Sequence, residues 1–277
     1  MMPGHLKIVM IASLMLVPWG LSAQETGEAD SAMMGNDSSM HEMAMEMNAA
    51  EKFEAEGDVY RDEFESEMAL QSYQKANKED SLNTTYIWKI VREYTDLGVF
   101  AESKDETETF YADAEKWARS CVSMAPDDAD CHLFLAVAVG RVALFSGGKK
   151  KVNLSKEVKA EATMAIELNP NLDGSFHVLG RWNREVANLS WFLRAAAKII
   201  YGGLPSASNE DAIINFEKAI DLRPDRMLHY FELGITYKDL GDKTKAREAF
   251  EKCLSMDVRE RQDAGRQEDS KEFLKKL

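Results

Sequence analysis

Arg92, Arg141, His177, Arg181, Arg184 and Lys238 recur along the chain with Trp88, Phe231 and Ile235, at spacings that put them on one side of successive helices. The chemistry these residues offer is anion recognition. A planar guanidinium donates bidentately to a carboxylate or phosphate, and an aromatic face beside it holds the apolar part of the same ligand. An acidic peptide segment or C-terminal carboxylate laid along the helices is one occupant, and the headgroup of an anionic lipid is another. The competing reading keeps the cations internal, paired with neighbours such as Glu93, Asp96, Glu185 and Asp239. Arg181 suits either a pair with Glu185 or a ligand contact. Glu51, Glu54 and Asp58 make the corresponding positions nearest the N-terminus acidic.

A second cluster is soft. Met33, Met34, Met40, His41, Met43, Met45 and Met47 offer thioethers and an imidazole, ligands that suit Cu(I). Met40, Met43 and Met47 also share a helical face and could cap a core instead, since methionine is ordinary gap-filler. Gly147-Gly148-Lys149-Lys150-Lys151 superficially resembles a phosphate-binding loop, but Ala143 stands where the earlier glycine is required and Lys150 where Ser or Thr is required. It reads as a solvated basic loop. There is no Gly-x-Ser-x-Gly, His-Glu-x-x-His or Cys-x-x-Cys, so the expectation is a binding protein without catalytic residues or cofactor.

The elements that must position these residues follow from one pattern given twice. Ala212, Phe216 and Ala219 are answered 34 residues later by Ala246, Phe250 and Cys253, with Leu233-Gly234 and Tyr237 between them. Small residues let two helices approach, the aromatic fills the gap, and a proline such as Pro224 stops the second helix. This resembles the tetratricopeptide (TPR) repeat. The expected fold is therefore all-α, a TPR-like α-α superhelix of about five repeats. The first repeat carries Phe53, Gly57 and Tyr60, then Ala69, Tyr73 and Ala76. The second carries Leu97-Gly98, then Asp113, Trp117 and Cys121, with about ten extra residues expected in a loop from Phe100 to Phe110. The third uses Leu135-Ala136, then Val158, Ala162 and Ala165 after another long connector. In the fourth, Ala212 comes 32 residues after Gly180, and the apolar period through Trp182, Val186, Leu189, Leu193, Ala196 and Ile200 predicts a first helix lengthened to about Tyr201. Such a helix would be about 35 Å long. Trp182 shares this stripe and is expected in the core. Phe273, Leu274 and Leu277 in a charged tail predict a closing helix with a polar outer face.

The 277 residues carry a formal net charge of −14, which disfavours non-specific binding to nucleic acid or to anionic membrane surfaces, so that any anionic partner must meet a local basic patch. Lys7, the apolar run from Ile8 to Val17 and Leu21-Ser22-Ala23 predict a secretory signal cleaved after Ala23. Pro18 and Gly20 leave that run too short to span a bilayer. The expected organisation is a signal over 1–23, a Met-rich flexible linker over 24–48, repeats over 49–260 and a capping helix over 261–277, in an exported protein, periplasmic or secreted, whose mature chain has no transmembrane segment. Cys121, Cys131 and Cys253 are an odd number for that compartment. They read as small buried hydrophobes, with a Cys121–Cys131 disulfide as the alternative.

One segment is more specific than the repeat. Leu179-Gly180-Arg181-Trp182, then Glu185-Val186-Ala187-x-Leu189-Ser190-Trp191, then Gly202-x-x-Pro205-Ser206 ahead of the Ala212-x3-Phe216 helix resembles the signature of the regulator of microtubule dynamics family. Looser similarity runs from about residue 50 to the C-terminus. The resemblance implies a helical-repeat protein that binds partners, and it brings microtubule association, organelle contact and lipid binding as roles of animal members.

Overall fold

The computed structural model describes residues 47–277. The predicted signal, and the proposed soft cluster apart from Met47, lie outside those residues; Met47 itself is exposed. Twelve helices and no strand occur among the described residues: α1 (Ala49–Asp62), α2 (Ser66–Glu79), α3 (Thr84–Phe100), α4 (Lys104–Met124), α5 (Ala129–Phe145), α6 (Gly148–Leu168), α7 (Asp173–Ala187), α8 (Trp191–Tyr201), α9 (Asn209–Leu222), α10 (Met227–Leu240), α11 (Lys243–Leu254) and α12 (Asp263–Lys276). None is long and apolar enough to cross a membrane.

Helix starts are set by short polar side chains that accept the first free amides. Asn48 forms a capping box with Glu51, and Asn83, Ser103, Asp128, Ser208 and Asp242 cap α3, α4, α5, α9 and α11. The helices pair as α1/α2, α3/α4, α5/α6, α7/α9 and α10/α11, which gives five repeats, and α12 packs on α10 and α11. First helices touch one another across repeats, α3 on α5, α5 on α7 and α7 on α10. They therefore line the inner, concave side.

Within a pair, a glycine on the first helix receives the ring of the second. Tyr73 lies against Gly57, Tyr111 against Gly98, Phe216 against Gly180 and Phe250 against Gly234. A Cβ at Gly234 would sit 2.7 Å from Phe250 Cε1, and Phe250 is fully buried among Phe231 and Phe273, so the ring has nowhere to retreat. Gly234→Ala is expected to cost about 1–3 kcal/mol in urea unfolding. Gly265→Ala, on an exposed part of α12 with nothing near its missing Cβ, should instead stabilise by up to about 1 kcal/mol.

Three features differ from the sequence expectation. The extra residues of the second and third repeats are not loops. They lengthen α4 and α6 to 21 residues each, against 14 in α2 and α9. The aromatic over Gly98 is Tyr111 rather than Trp117, because the added turns lie at the C-terminal end of α4 and extend its buried stripe through Ala114, Ala118 and Cys121. Lys149, Lys150 and Lys151 accordingly occupy the exposed first turn of α6. The lengthened helix of the fourth repeat is interrupted. Ser190 caps a new helix by accepting from the Leu193 amide at 3.3 Å, and Arg194 donates to the carbonyls of Val186, Ala187 and Leu189 at the end of α7. The chain thus turns out of α7 into a separate α8. Trp182 is in the core as expected, its Nε1 donating to the Ser155 carbonyl at 2.7 Å. Cys121 and Cys131 form a disulfide between α4 and α5, and Cys253 is a free, buried thiol that burial pushes up to about 11.

Candidate functional site on the concave helices

Most of the predicted groove residues are engaged by the protein itself. Arg92 donates to Glu93 at 3.0 Å and to the Tyr73 hydroxyl at 3.2 Å. Its guanidinium also lies 5.3 Å from the ring of Trp88, which stacks on Phe134 with centroids 5.1 Å apart. Glu93 is fully buried and takes Arg61 as well at 2.7 Å. The acidic share of the first repeat is neutralised from the second, because the Lys89 ammonium lies 2.7 Å from both Glu54 and Asp58. Glu51 serves the α1 cap.

The fourth and fifth repeats are tied by two buried networks. Glu232 on α10 accepts from Arg184 Nη1 and lies 3.3 Å from Arg181 Nε on α7. Arg181 is thus set against Glu232 and not Glu185, which pairs with Arg184 at 3.0 Å. Burial alone would lower the Arg184 pKa, yet the two glutamates hold it above its ordinary value. Beside this pair, Asp173 accepts from Arg226 and from His229 Nε2, each at 2.9 Å. Since a carboxylate only accepts, His229 carries its proton on Nε2 and presents a bare Nδ1, to which His177 Nδ1–H donates at 3.1 Å. His177 is therefore a buried member of this chain and not a groove residue. Burial pushes both imidazoles below their usual range, His177 far below.

Phe231 and Ile235 pack in the fifth-repeat core with Phe273 and Leu274 of α12 and with Leu277 just beyond it. Lys238 bonds Asp239 at 2.9 Å with its ammonium 5.4 Å from the Phe273 ring. The closing helix therefore takes up the α10 face that the register had assigned to the groove. The segment before α12 also reaches back to the second repeat. Gln262 donates to Asp96 at 3.2 Å, and the Arg261 guanidinium lies 4.1 Å from the Phe100 ring. The inner face is thereby narrowed.

Arg141 and Arg181 remain. Among the described residues the Arg141 guanidinium has no hydrogen bond or ion pair, and lies 5.8 Å from the Tyr111 ring. Burial pushes its pKa down, and the adjacent Arg181 adds to the effect. The Arg181 side chain is 39% exposed, and its only acid contact is with Glu232. The Arg181 charge thus adds to the cost of burying Arg141, and Asp96 and Glu232 offset it only from beyond ion-pair distance, an arrangement that an added anion beside Arg141 would relieve. Glu232, Arg61, Asp173, Arg226 and Glu260 were not singled out in the sequence. No local signal marks them, because the partners described above lie 32 to 56 residues away.

These pairs, with a ring-on-glycine contact in four of the five, define a TPR-like helical-repeat protein. A thermophilic TPR protein of Thermus thermophilus shares the fold over 80% of this chain and 98% of its own, with a TM-score of 0.60 at 14% sequence identity. Residues 53–277 match the family described as regulator of microtubule dynamics protein 1-3, and the chain belongs to that family. Regulator of microtubule dynamics protein 3 of Xenopus laevis is 31% identical over 166 residues, 58% of this chain and 35% of the relative. Regulator of microtubule dynamics protein 2 of Mus musculus is 26% identical over 198 residues, 71% of this chain and 48% of the relative. The chain thus spans less than half the length of these relatives.

Proposed function

We propose that the protein is a non-enzymatic interaction scaffold whose concave face takes an acidic peptide segment or C-terminal carboxylate between Arg141 and Arg181. The observation that carries this reading is the unpaired Arg141. Elsewhere on the inner helices Lys89, Arg92, Arg181 and Arg184 each reach a carboxylate, and a half-buried guanidinium left without one costs desolvation that a ligand carboxylate would offset. Trp88 and Phe134 extend an apolar wall toward the same repeats. The setting that goes with this reading is the one that the predicted N-terminal signal would give, outside the cytoplasm.

The test is fluorescence anisotropy with glutamate-rich peptides, each made with a free and with an amidated C-terminus. The wild type should bind, more weakly as salt rises, and Arg141→Gln with Arg181→Gln should lose affinity about tenfold or more. Equal binding by wild type and variant would remove the two arginines from the site. Loss on amidation alone would place the terminal carboxylate there, and tolerance of amidation would place acidic side chains there. Binding of anionic lipid monomers with the same arginine dependence, and of no peptide, would replace the peptide reading.

A further inference from the structure

The helix inserted into the fourth repeat leaves an apolar face open to solvent. Trp191 is 80% exposed, Ile199 84%, Phe192 65% and Ile200 63%, with Leu193 beside them. At 100° per residue, Trp191, Ala195, Ile199, Phe192, Ala196, Ile200 and Leu193 fall in one continuous arc. Only Ala197 of α8 is buried. A terminus frays into such a state at little cost, but this helix is held at both ends. Ser190 and Arg194 fix its start, and at its end Gly202 and Gly203 adopt left-handed backbone while the Gly203 amide returns to the Ala197 carbonyl at 2.9 Å. Lys156 then donates to the Tyr201 carbonyl at 3.4 Å. An apolar patch built this firmly marks an interaction surface.

The charge around it identifies what it meets. In a chain with 48 acidic residues, no Asp or Glu occurs in residues 131–156 or 186–208. The structure brings these two stretches together, because the Tyr201 hydroxyl is next to Gly148 at the start of α6. Lys149, Lys150 and Lys151 are exposed there, and Lys198 stands at the edge of the α8 arc. Three lysines in the first turn of a helix oppose its dipole, so helix stability does not explain their position. A second copy seated on this face about a twofold axis would set the same lysines against one another. Anionic headgroups would not. An apolar arc that opens on a tryptophan and has cations beside it is the composition of a helix lying in a membrane interface.

We propose that α8 docks the protein on an anionic lipid bilayer, with Trp191, Phe192, Ile199 and Ile200 in the acyl boundary and Lys149 to Lys151 at the headgroups. This surface is separate from the arginine pair on the inner face. Flotation of the full chain with vesicles of phosphatidylcholine, alone or with about 30% phosphatidylserine, tests it. Binding is expected on the anionic vesicles and should weaken about fivefold for each lysine reversed in Lys149→Glu, Lys150→Glu and Lys151→Glu. Ile199→Glu with Ile200→Glu alters only exposed side chains, so the fold should survive, and vesicle binding should fall about tenfold or more. Arg141→Gln with Arg181→Gln should float like wild type. Quenching of tryptophan emission by brominated lipid should be lost in Trp191→Phe. Equal flotation of wild type and the isoleucine variant would overturn the proposal. So would a dimer in sedimentation that dissociates in that variant while neither protein floats.

Discussion

Glu232→Ala is expected to lower the stability of the repeat domain by about 3–5 kcal/mol, the cost of leaving a buried charge without its partner. Glu232 is 6% exposed on α10 and accepts from Arg184, itself 5% exposed on α7. Burial opposes ionisation of Glu232, but Arg181 and Arg184 outweigh it and hold the carboxyl below its usual range. Removing the carboxylate strands the Arg184 guanidinium, leaving it Glu185 on the exposed side and a long 3.4 Å bond to the carbonyl of residue 232. The loss does not measure what the pair contributes. A combined Arg184→Met and Glu232→Leu exchange fills similar volume without charge, and should recover most of the single-mutant loss. Urea unfolding of the four proteins of that cycle gives a coupling energy. A single-mutant loss under about 1 kcal/mol would mean that water reaches the pair in the native state.

The repeat architecture was legible because its determinants are short-range and periodic. A glycine on one helix and a ring on the next stand 16 residues apart in the first and fifth repeats, Gly57 to Tyr73 and Gly234 to Phe250, and such a repeat reads independently. The insertions were harder, since a longer segment between two repeats can lengthen a loop or a helix, and α4 and α6 took the helical solution by extending a stripe of small residues. The break at Asn188 to Ser190 was hidden for a related reason. The apolar period continues through it, while the feature that ends α7 is the Ser190 cap supported by Arg194. Ser190 is visible in the sequence, but its effect depends on where the following helix can go.

The arginine pair was only partly legible. Helical register placed the predicted cations on first helices, which do line the inner side. Register does not report which carboxylates from other repeats meet them there. Glu93 and Glu232 sit on first helices too: Glu93 bonds its neighbour Arg92, as the internal-pairing reading expected, but also takes Arg61 from the first repeat, and Glu232 takes Arg181 and Arg184 from the fourth. Nor could it show that α12 would cover Phe231 and Lys238. What survives is Arg141, identified among the described residues by the absence of a carboxylate bonded to its guanidinium, which only the packed structure reveals.

The histidine chain makes acid sensitivity the second large effect. His177 and His229 are buried with depressed pKa values, whereas in the unfolded chain they titrate near 6.5. Below that pH the unfolded state binds more protons than the folded one, so stability must fall as pH drops from about 6.5. The contact geometry adds to this, because protonating His229 would turn its Nδ1 into a donor facing the Nδ1–H of His177. A second limb follows at lower pH. Glu260 bonds Arg226 at 2.7 Å, and although burial opposes ionisation, the arginines hold it at about 2 against an ordinary 4.5. Asp173 is held down likewise by His229 and Arg226 against its own burial. Their stabilisation is complete above pH 4.5 and disappears as pH falls toward the folded values, about 3 kcal/mol for Glu260 alone. The midpoint temperature by circular dichroism should therefore decline in two steps, one between about pH 6.5 and 5 and a steeper one below 4.5. His177→Phe, which keeps a ring against Phe216, should flatten the first step and leave the second. A midpoint unchanged from pH 6.5 to 5 in the wild type would show that neither imidazole is shielded from water, and the α7–α10 contact would then have to be held by Glu232 and Asp173 alone.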